Sequence, residues 1–131
     1  MNLTAHSRTK LLKTFARWDV SRDFADPMYN YLVYGYSPGS CFTAVLANDF
    51  IEAIRSSHPA NTVNAFKSLA GWINEHCPEE AYGSYEKVKC WPGINPEQRR
   101  IILEHNRLIY SNKEEVILIL KDTHIQDPVL Y

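Results

Sequence analysis

The chain has 131 residues, is 45% hydrophobic and 22% charged, and carries a formal net charge of −1. That length suits one domain, 1–131, with a substantial buried core, and the charged fraction is close to the globular average of about 25%, which argues against disorder. Near-neutrality argues against a uniformly basic nucleic-acid coat or a polybasic membrane binder.

The charge is unevenly spread. Residues 1–24 hold five basic and two acidic side chains, residues 25–93 four and seven, and residues 94–131 five and six. The chain therefore divides into a basic N-terminal helix, an acidic helical centre and a C-terminal extension. No run approaches the roughly 20 apolar residues of a spanning helix, so no membrane partner is expected. Met1 to Lys10 is polar, without the apolar centre of a secretion signal. Together with three cysteines, Cys41, Cys77 and Cys90, this predicts reduced thiols and a cytoplasmic setting. Cys77 and Cys90 are the pair whose meeting in space sequence leaves open.

The first predicted helix spans 7–18, with Leu11, Phe15 and Trp18 at i, i+4 and i+7 on one buried face. Arg8, Lys10, Lys13 and Arg17 occupy much of the rest. Asp26-Pro27 reads as a helix start, followed by a short helix from Tyr29 to Tyr34 that ends at Gly35 in a left-handed conformation. Ser37-Pro38-Gly39-Ser40 predicts the next start, with Ser37 as cap and Pro38 as first helical residue. Phe42, Leu46, Phe50 and Ile54 then recur every four residues as a core-facing stripe. Asn48-Asp49 interrupts it, so either one helix runs to about Ser56 or two meet there. His58-Pro59 breaks the pattern, Asn61 or Thr62 caps the next helix, and Val63, Phe66, Ala70 and Ile73 form its apolar face up to Cys77-Pro78.

Ser84 caps a short helix bearing Val88 and Trp91, and Pro92-Gly93 is a turn. Asn95 caps the following helix, with Gln98 placed to reach back to it. Segment 108–120 suits two structures. Its Val and Ile content favours a small β-hairpin around Ser111 to Glu115, while Ile102, Ile109 and Val116 at intervals of seven suit a helix; the hairpin is preferred. The expected fold is mainly α, with five or six helices, a C-terminal hairpin and an irregular tail from Thr123 to Tyr131.

The run Tyr36-Ser37-Pro38-Gly39-Ser40-Cys41-Phe42-Thr43-Ala44-Val45-Leu46-Ala47-Asn48-Asp49-Phe50 resembles a motif of a family of small tailed-phage and prophage proteins. These read Pro-Gly-Ser-Phe, Thr-Ala-Val-Leu, then Asn-Asp and a hydrophobic residue. The likeness continues loosely through Asn74, Pro78, Gly83-Ser84, Glu86 and Trp91, covering about 29–92. Cys41 is an insertion relative to that pattern, and the basic first helix and last 39 residues lie outside it. The resemblance implies a phage-encoded accessory protein in the host cytoplasm, and supplies no catalytic residue or cofactor.

Four groups of residues are candidates for function. Ser37, Gly39 and Ser40 offer hydroxyls and backbone N–H groups at a helix start, where phosphate or a nucleotide would bind; ordinary capping is the preferred reading. The loop lacks the Gly-Lys-Ser/Thr ending of a phosphate-binding loop. Asp49 with Glu52 provides acidity for a partner's basic residues, against the preferred reading of Asp49 as a helix cap. Tyr29, Tyr31, Tyr34 and Tyr36 cannot share one helical face, so some border a binding surface or the rim of the core. Arg8, Lys10, Lys13 and Arg17 are placed to contact nucleic-acid phosphates, although a solvated face is the simpler reading. Arg99-Arg100, flanked by Glu97 and Glu104, adds little. Among His58, His76, Cys77, Cys90, His105 and His124 no C-x-x-C or H-x-x-x-H pair occurs, His76-Cys77 with Cys90 lacks a fourth ligand at useful spacing, and no nucleophile–base pattern stands out, so no metal, cofactor or catalytic residue is expected. The leading expectation is a non-catalytic protein that binds and modulates or inhibits a host protein through the tyrosines, Asp49 and Glu52. The alternatives are a nucleic-acid-binding regulator and a phosphate or nucleotide binder.

Overall fold

A computed structural model describes residues 1–121; the tail expected to be irregular lies outside the described residues. The described residues form eight α-helices: α1 Ala5–Arg17, α2 Arg22–Tyr29, α3 Ser40–Leu46, α4 Phe50–Ser56, α5 Val63–His76, α6 Tyr85–Cys90, α7 Pro96–His105 and α8 Asn112–Lys121. A π-helical segment, Asn30–Tyr34, continues α2 directly, and single 3₁₀ turns occupy Glu79–Ala81 and Trp91–Gly93. The fold is mainly α, with more helices than expected and no strand among the described residues. None of these helices is long and apolar enough to cross a membrane.

Side-chain caps open most helices. Thr4, Ser21, Asp49, Thr62, Ser84 and Asn95 each accept a backbone N–H from the first turn that follows, satisfying donors the helix itself leaves free. Three helices close in the same way. The residue after the cap is left-handed at Asp19, Asn48 and Arg107, with φ of 55°, 65° and 60°. Asp19 N bonds Ala16 O and Val20 N bonds Phe15 O; Asn48 N bonds Val45 O and Asp49 N bonds Ala44 O; Arg107 N bonds Glu104 O and Leu108 N bonds Leu103 O. That paired pattern is the Schellman motif, built here without glycine. Gly35 is left-handed at φ 69° as expected.

The core is one cluster that joins α1, α2, α3, α5, α6 and α7 and leaves out α4 and α8. Leu11 and Phe15 of α1 meet Leu69 and Trp72 of α5, and the cluster extends through Tyr31, Leu32, Trp91, Leu103, Leu108 and Ile109. The polar atoms of the large core aromatics are paired: Trp72 Nε1 donates to Thr14 Oγ1 at 2.9 Å, Trp91 Nε1 to Tyr31 O at 3.0 Å, and Tyr31 OH to Ala81 O at 2.8 Å. Each such bond offsets the desolvation of a polar atom among apolar neighbours. Trp18, expected on the buried face, lies against Gly71 and remains 36% exposed.

Several boundaries differ from expectation. The Asp26-Pro27 start is replaced by a start at Ser21, whose Oγ accepts from Asp23 N at 3.2 Å; Pro27 sits inside the helix. Neither Ser37 nor Pro38 begins α3. Gly39 is its cap and has no side chain to bond the first turn; the Pro38 carbonyl accepts from Thr43 Oγ1 at 3.2 Å. Gln98 makes no bond back to Asn95; the Asn95 amide alone caps α7. The C-terminal hairpin is corrected to a buried turn at Leu108-Ile109 followed by α8. Ser111 Oγ accepts from Glu114 N at 3.3 Å and Glu114 Oε2 accepts from Ser111 N at 2.9 Å, a reciprocal capping box that starts a helix despite the β-branched residues after it.

Arg99 and Arg100, of little weight as a basic contact in the sequence, fix the C-terminal third. Arg99 is 3% exposed and donates to the carbonyls of Val33, Pro92 and Ile94. Those carbonyls lie at the ends of helical turns, where a cation is favoured. Burial still pulls the Arg99 pKa below its ordinary value. Its guanidinium presses on Gly35, where a Cβ would stand 3.0 Å from Cζ; glycine thus serves both the turn and the close approach. Arg100 pairs with Glu104 at 3.0 Å and with Glu115 at 3.8 Å. Glu115, 5% exposed, also accepts from the Thr4 and Ser7 hydroxyls. Through it α8 is held to both α1 and α7.

Candidate functional site

The Asn48-Asp49 pair is the corner between α3 and α4. Asn48 takes the left-handed position, which asparagine adopts more readily than most residues, and Asp49 caps α4 through Glu52 N at 3.3 Å. Asp49 Oδ2 also accepts from Tyr85 OH at 2.6 Å. That bond, with the Glu52 N–H, holds the Asp49 carboxyl below its ordinary pKa, and it pushes the Tyr85 phenol up to about 12. Glu52 accepts from Ser56 Oγ at 3.0 Å and approaches Arg55 at 3.6 Å. Both carboxylates are thus engaged within the corner itself.

The corner redirects the apolar stripe. Phe42 and Leu46 are buried as expected, but Phe50 and Ile54 are 67% and 44% exposed. One straight helix would have put all four on the core. The Schellman turn instead swings α4 outward, and its side chains become the wall of an open groove. This groove, about 310 Å³, runs between α3, α4 and the first half of α5 and is lined by Val45, Asn48, Phe50, Ala53, Ile54, Val63, Phe66, Lys67 and Ala70. Val63 at its edge is 79% exposed and neighbouring Ile51 68%. Asn48 and Lys67 are its only polar or charged lining residues. An apolar surface of this kind loses free energy when covered by other apolar groups, at roughly 25 cal/mol per Å² removed from water.

The four candidate tyrosines separate. Tyr31 is fully buried and structural. Tyr29, Tyr34 and Tyr36 form a ladder on the surface, with ring centroids 5.9 Å apart for Tyr29–Tyr34 and 5.6 Å for the stacked Tyr34–Tyr36. Tyr29 is half-buried, and burial together with Tyr34 pushes its phenol up to about 12. Tyr36 is 61% exposed. The ladder shares no lining residue with the apolar groove.

The basic residues also divide. Lys10, Lys13 and Arg17 line a second groove of about 340 Å³ with His6, Thr9, Tyr110 and Leu118, whereas Arg8 is not part of it. Lys10 Nζ lies 4.4 Å from the Tyr110 ring centroid, a cation–π contact. Ser37, Gly39 and Ser40 are exposed. The seven-residue α3 behind them presents no side-chain arrangement around an anion.

Cys41, Cys77 and Cys90 are free thiols, with Cys77 buried and Cys90 exposed. Burial raises the Cys77 pKa well above the ordinary thiol value, and half-buried Cys41 donates to Ala53 O at 3.4 Å. His76 is shifted down by burial beside Trp18 and Trp72. No three His, Cys, Asp or Glu side chains converge among the described residues; His124 lies outside them. The groove was not legible in advance, because its walls follow from the angle at Asn48 rather than from any motif. No family model matches the chain, and no curated protein or solved structure is significantly similar to it.

Proposed function

We propose that this is a phage-encoded accessory protein that works in the host cytoplasm by docking and inhibiting a host protein, without chemistry of its own. The phage origin rests on the resemblance of the Tyr36–Phe50 run. The observation that carries the docking role is the open apolar groove between α3, α4 and α5, with Phe50, Ile54 and Val63 raised along it. Apart from one cation, Lys67, and one amide, Asn48, its walls are apolar, which suits an apolar occupant better than a phosphate. An amphipathic helix of a partner protein suits it, with apolar anchors between α4 and α5 and a carboxylate near Lys67. This moves the contact surface from Tyr29, Tyr34, Tyr36, Asp49 and Glu52 to the groove; the tyrosine ladder remains a second, separate surface.

Affinity capture from host lysate with the full chain and with Phe50→Asp tests the proposal. Phe50 is two-thirds exposed and opens α4, where an acidic residue is tolerated, so the variant keeps its fold. A protein recovered on the wild type and depleted at least about tenfold on the variant supports groove docking. Equal recovery, or none at micromolar bait, overturns it.

A second reading, nucleic-acid binding, is favoured by one observation: Lys10, Lys13 and Arg17 share one groove with an aromatic wall and no carboxylate. It requires affinity for single-stranded oligonucleotides that falls steeply with salt. Flat fluorescence anisotropy at low ionic strength removes it.

A further inference from the structure

One stripe of α1 lines a groove rather than the core. His6, Thr9, Lys10, Lys13 and Arg17 follow at i, i+3, i+4, i+7 and i+11, the spacing of one helical face. With Tyr110 and Leu118 they enclose about 340 Å³. Leu118 turns α8 toward this groove, while Val116, Ile117 and Ile119 of the same helix are exposed. Two features of the groove have no role in the fold. The first is its charge. The ion pairs among the described residues join Arg55 to Glu52 and Arg100 to Glu104 and Glu115, so Lys10, Lys13 and Arg17 have no carboxylate partner there. Two acids border the groove without lining it. Glu114 is near Lys10, but the Ser111 N–H, more than Lys10 or Arg107, holds its carboxyl below its ordinary pKa. Glu75 shares an adjoining cleft with Arg17, Trp18 and His76. The second feature is Thr9, which is 6% exposed and whose buried Oγ1 has no hydrogen-bond partner among the described residues. Thr14 on the same helix does satisfy its hydroxyl, by donating to Leu11 O at 2.6 Å. Buried hydroxyls are nearly always paired, and a helical threonine populates two χ1 wells, so Thr9 can turn its hydroxyl to an anion in the groove.

We infer that this groove binds a small oligophosphate, such as inorganic pyrophosphate or the phosphate chain of a nucleoside triphosphate. From Lys10 to Arg17 the helix advances about 10 Å, so the three cations lie along a line. They match an anion whose charge is spread over two or three phosphates. Lys10 Nζ sits 4.4 Å from the Tyr110 ring centroid, which holds the ammonium at the groove wall. It also covers that face of the ring, where a base would otherwise stack. Recognition therefore falls on the phosphates. The Thr9 hydroxyl adds a donor to a charged acceptor, the stronger class of hydrogen bond. This site goes beyond the docking role. It shares no lining residue with the groove between α3, α4 and α5, and either can fail without the other. It uses the cations of the nucleic-acid reading but names a different occupant.

Isothermal titration of the full chain in metal-free buffer at low ionic strength tests the inference. The probes are inorganic pyrophosphate, ATP, adenosine and a short oligothymidylate without terminal phosphates. One-to-one binding of pyrophosphate with a dissociation constant below about 1 mM is expected, weakening as salt is raised, with no binding of adenosine. ATP bound no tighter than pyrophosphate identifies the inorganic chain as the ligand, and ATP bound about tenfold tighter identifies a nucleotide; either supports the site. No binding of pyrophosphate or ATP overturns it. So does oligothymidylate bound more tightly than both, which returns the groove to the nucleic-acid reading. Lys13→Ala and Arg17→Ala, both at exposed positions, should each weaken binding about tenfold. Arg8→Ala, on the same helix but outside the groove, should change it less than about twofold. Thr9→Val keeps the shape and removes the hydroxyl. It should weaken binding about fivefold without lowering the melting temperature, because the hydroxyl it removes is unpaired in the free protein. Equal losses in Arg8→Ala and Lys13→Ala, or full affinity in Thr9→Val, overturn the assignment.

Discussion

Replacing Glu115 with alanine should release α8 from the rest of the fold. Its carboxylate is 5% exposed, accepts two hydroxyl hydrogen bonds from Thr4 and Ser7 and lies 3.8 Å from Arg100. Hydrogen bonds to a charged group contribute about 1.5–3 kcal/mol each, and removing one partner of a buried ionic network costs about 3–5 kcal/mol. The lower end applies here, because Arg100 keeps Glu104 at 3.0 Å and Asn112 at 2.9 Å and is not left unpaired. Ser7 loses its acceptor, although its oxygen still receives Tyr110 N at 3.0 Å. The expected loss is about 3 kcal/mol, which lowers the melting temperature of a chain this size by about 10 °C. Glu115→Gln keeps the shape and one acceptor and should lose about half as much. Urea unfolding gives the free energy if the m value is unchanged, and hydrogen exchange should show α8 amides opening before those of α5. A loss under about 1 kcal/mol, the size of an exposed pair, or exchange in α8 as slow as in α5, would refute the reasoning.

Arg107 holds a left-handed conformation at φ 60° that costs a non-glycine residue about 1–2 kcal/mol; Arg107→Gly should raise stability by up to about 1 kcal/mol after the unfolded-state entropy of glycine is counted, read by chemical denaturation. A methyl group at Gly71 would stand 2.6 Å from Trp18 Cζ3, so Gly71→Ala should displace the indole, shift its fluorescence and cost about 1–2 kcal/mol. Asp49 has a folded pKa below its ordinary 3.8. Its ionised form therefore adds stability that is full above that value and is lost as pH falls through the folded pKa. The stability difference between wild type and Asp49→Asn should be constant near neutrality and shrink only in acid, which a pH series of thermal melts reads; a difference that grows below pH 3.8 contradicts the assignment.

Much of the fold can be read from local chemistry. Thr62, Ser84 and Asn95 cap helices because each carries a side-chain oxygen immediately before a good helical turn. Phe42, Leu46, Phe66 and Ile73 are buried because their spacing matches one helical face. The hairpin expectation failed where two local preferences compete. Ser111 and Glu114 form a capping box, visible in the sequence as Ser-x-x-Glu, and its reciprocal bonds outweigh the strand preference of Val116, Ile117 and Ile119. Their exposure follows from the same choice, since a ten-residue helix with one buried side chain must display the others.

The burial of Arg99 and Arg100 had no local signature. It depends on carbonyls at Val33, Pro92 and Ile94 and on Glu115, which only the tertiary arrangement brings within reach. The groove was hidden for a related reason. Phe50 and Ile54 continue the period of Phe42 and Leu46, and periodicity assigns all four to the core. Asn48 turns the chain between them, and that single left-handed residue converts half of a core stripe into a surface. The Asn-Asp pair marks an irregularity in the sequence and Asp49 a cap, but the change of direction depends on the backbone hydrogen bonds to Ala44 and Val45.

The proposed docking of a host protein in the groove between α3, α4 and α5 is tested most directly by amide hydrogen exchange of the full chain, with and without the captured partner. Added protection confined to residues 45–70, absent in Phe50→Asp, is the predicted result. Protection confined to the tyrosine ladder or to the basic groove beside α1 would contradict it.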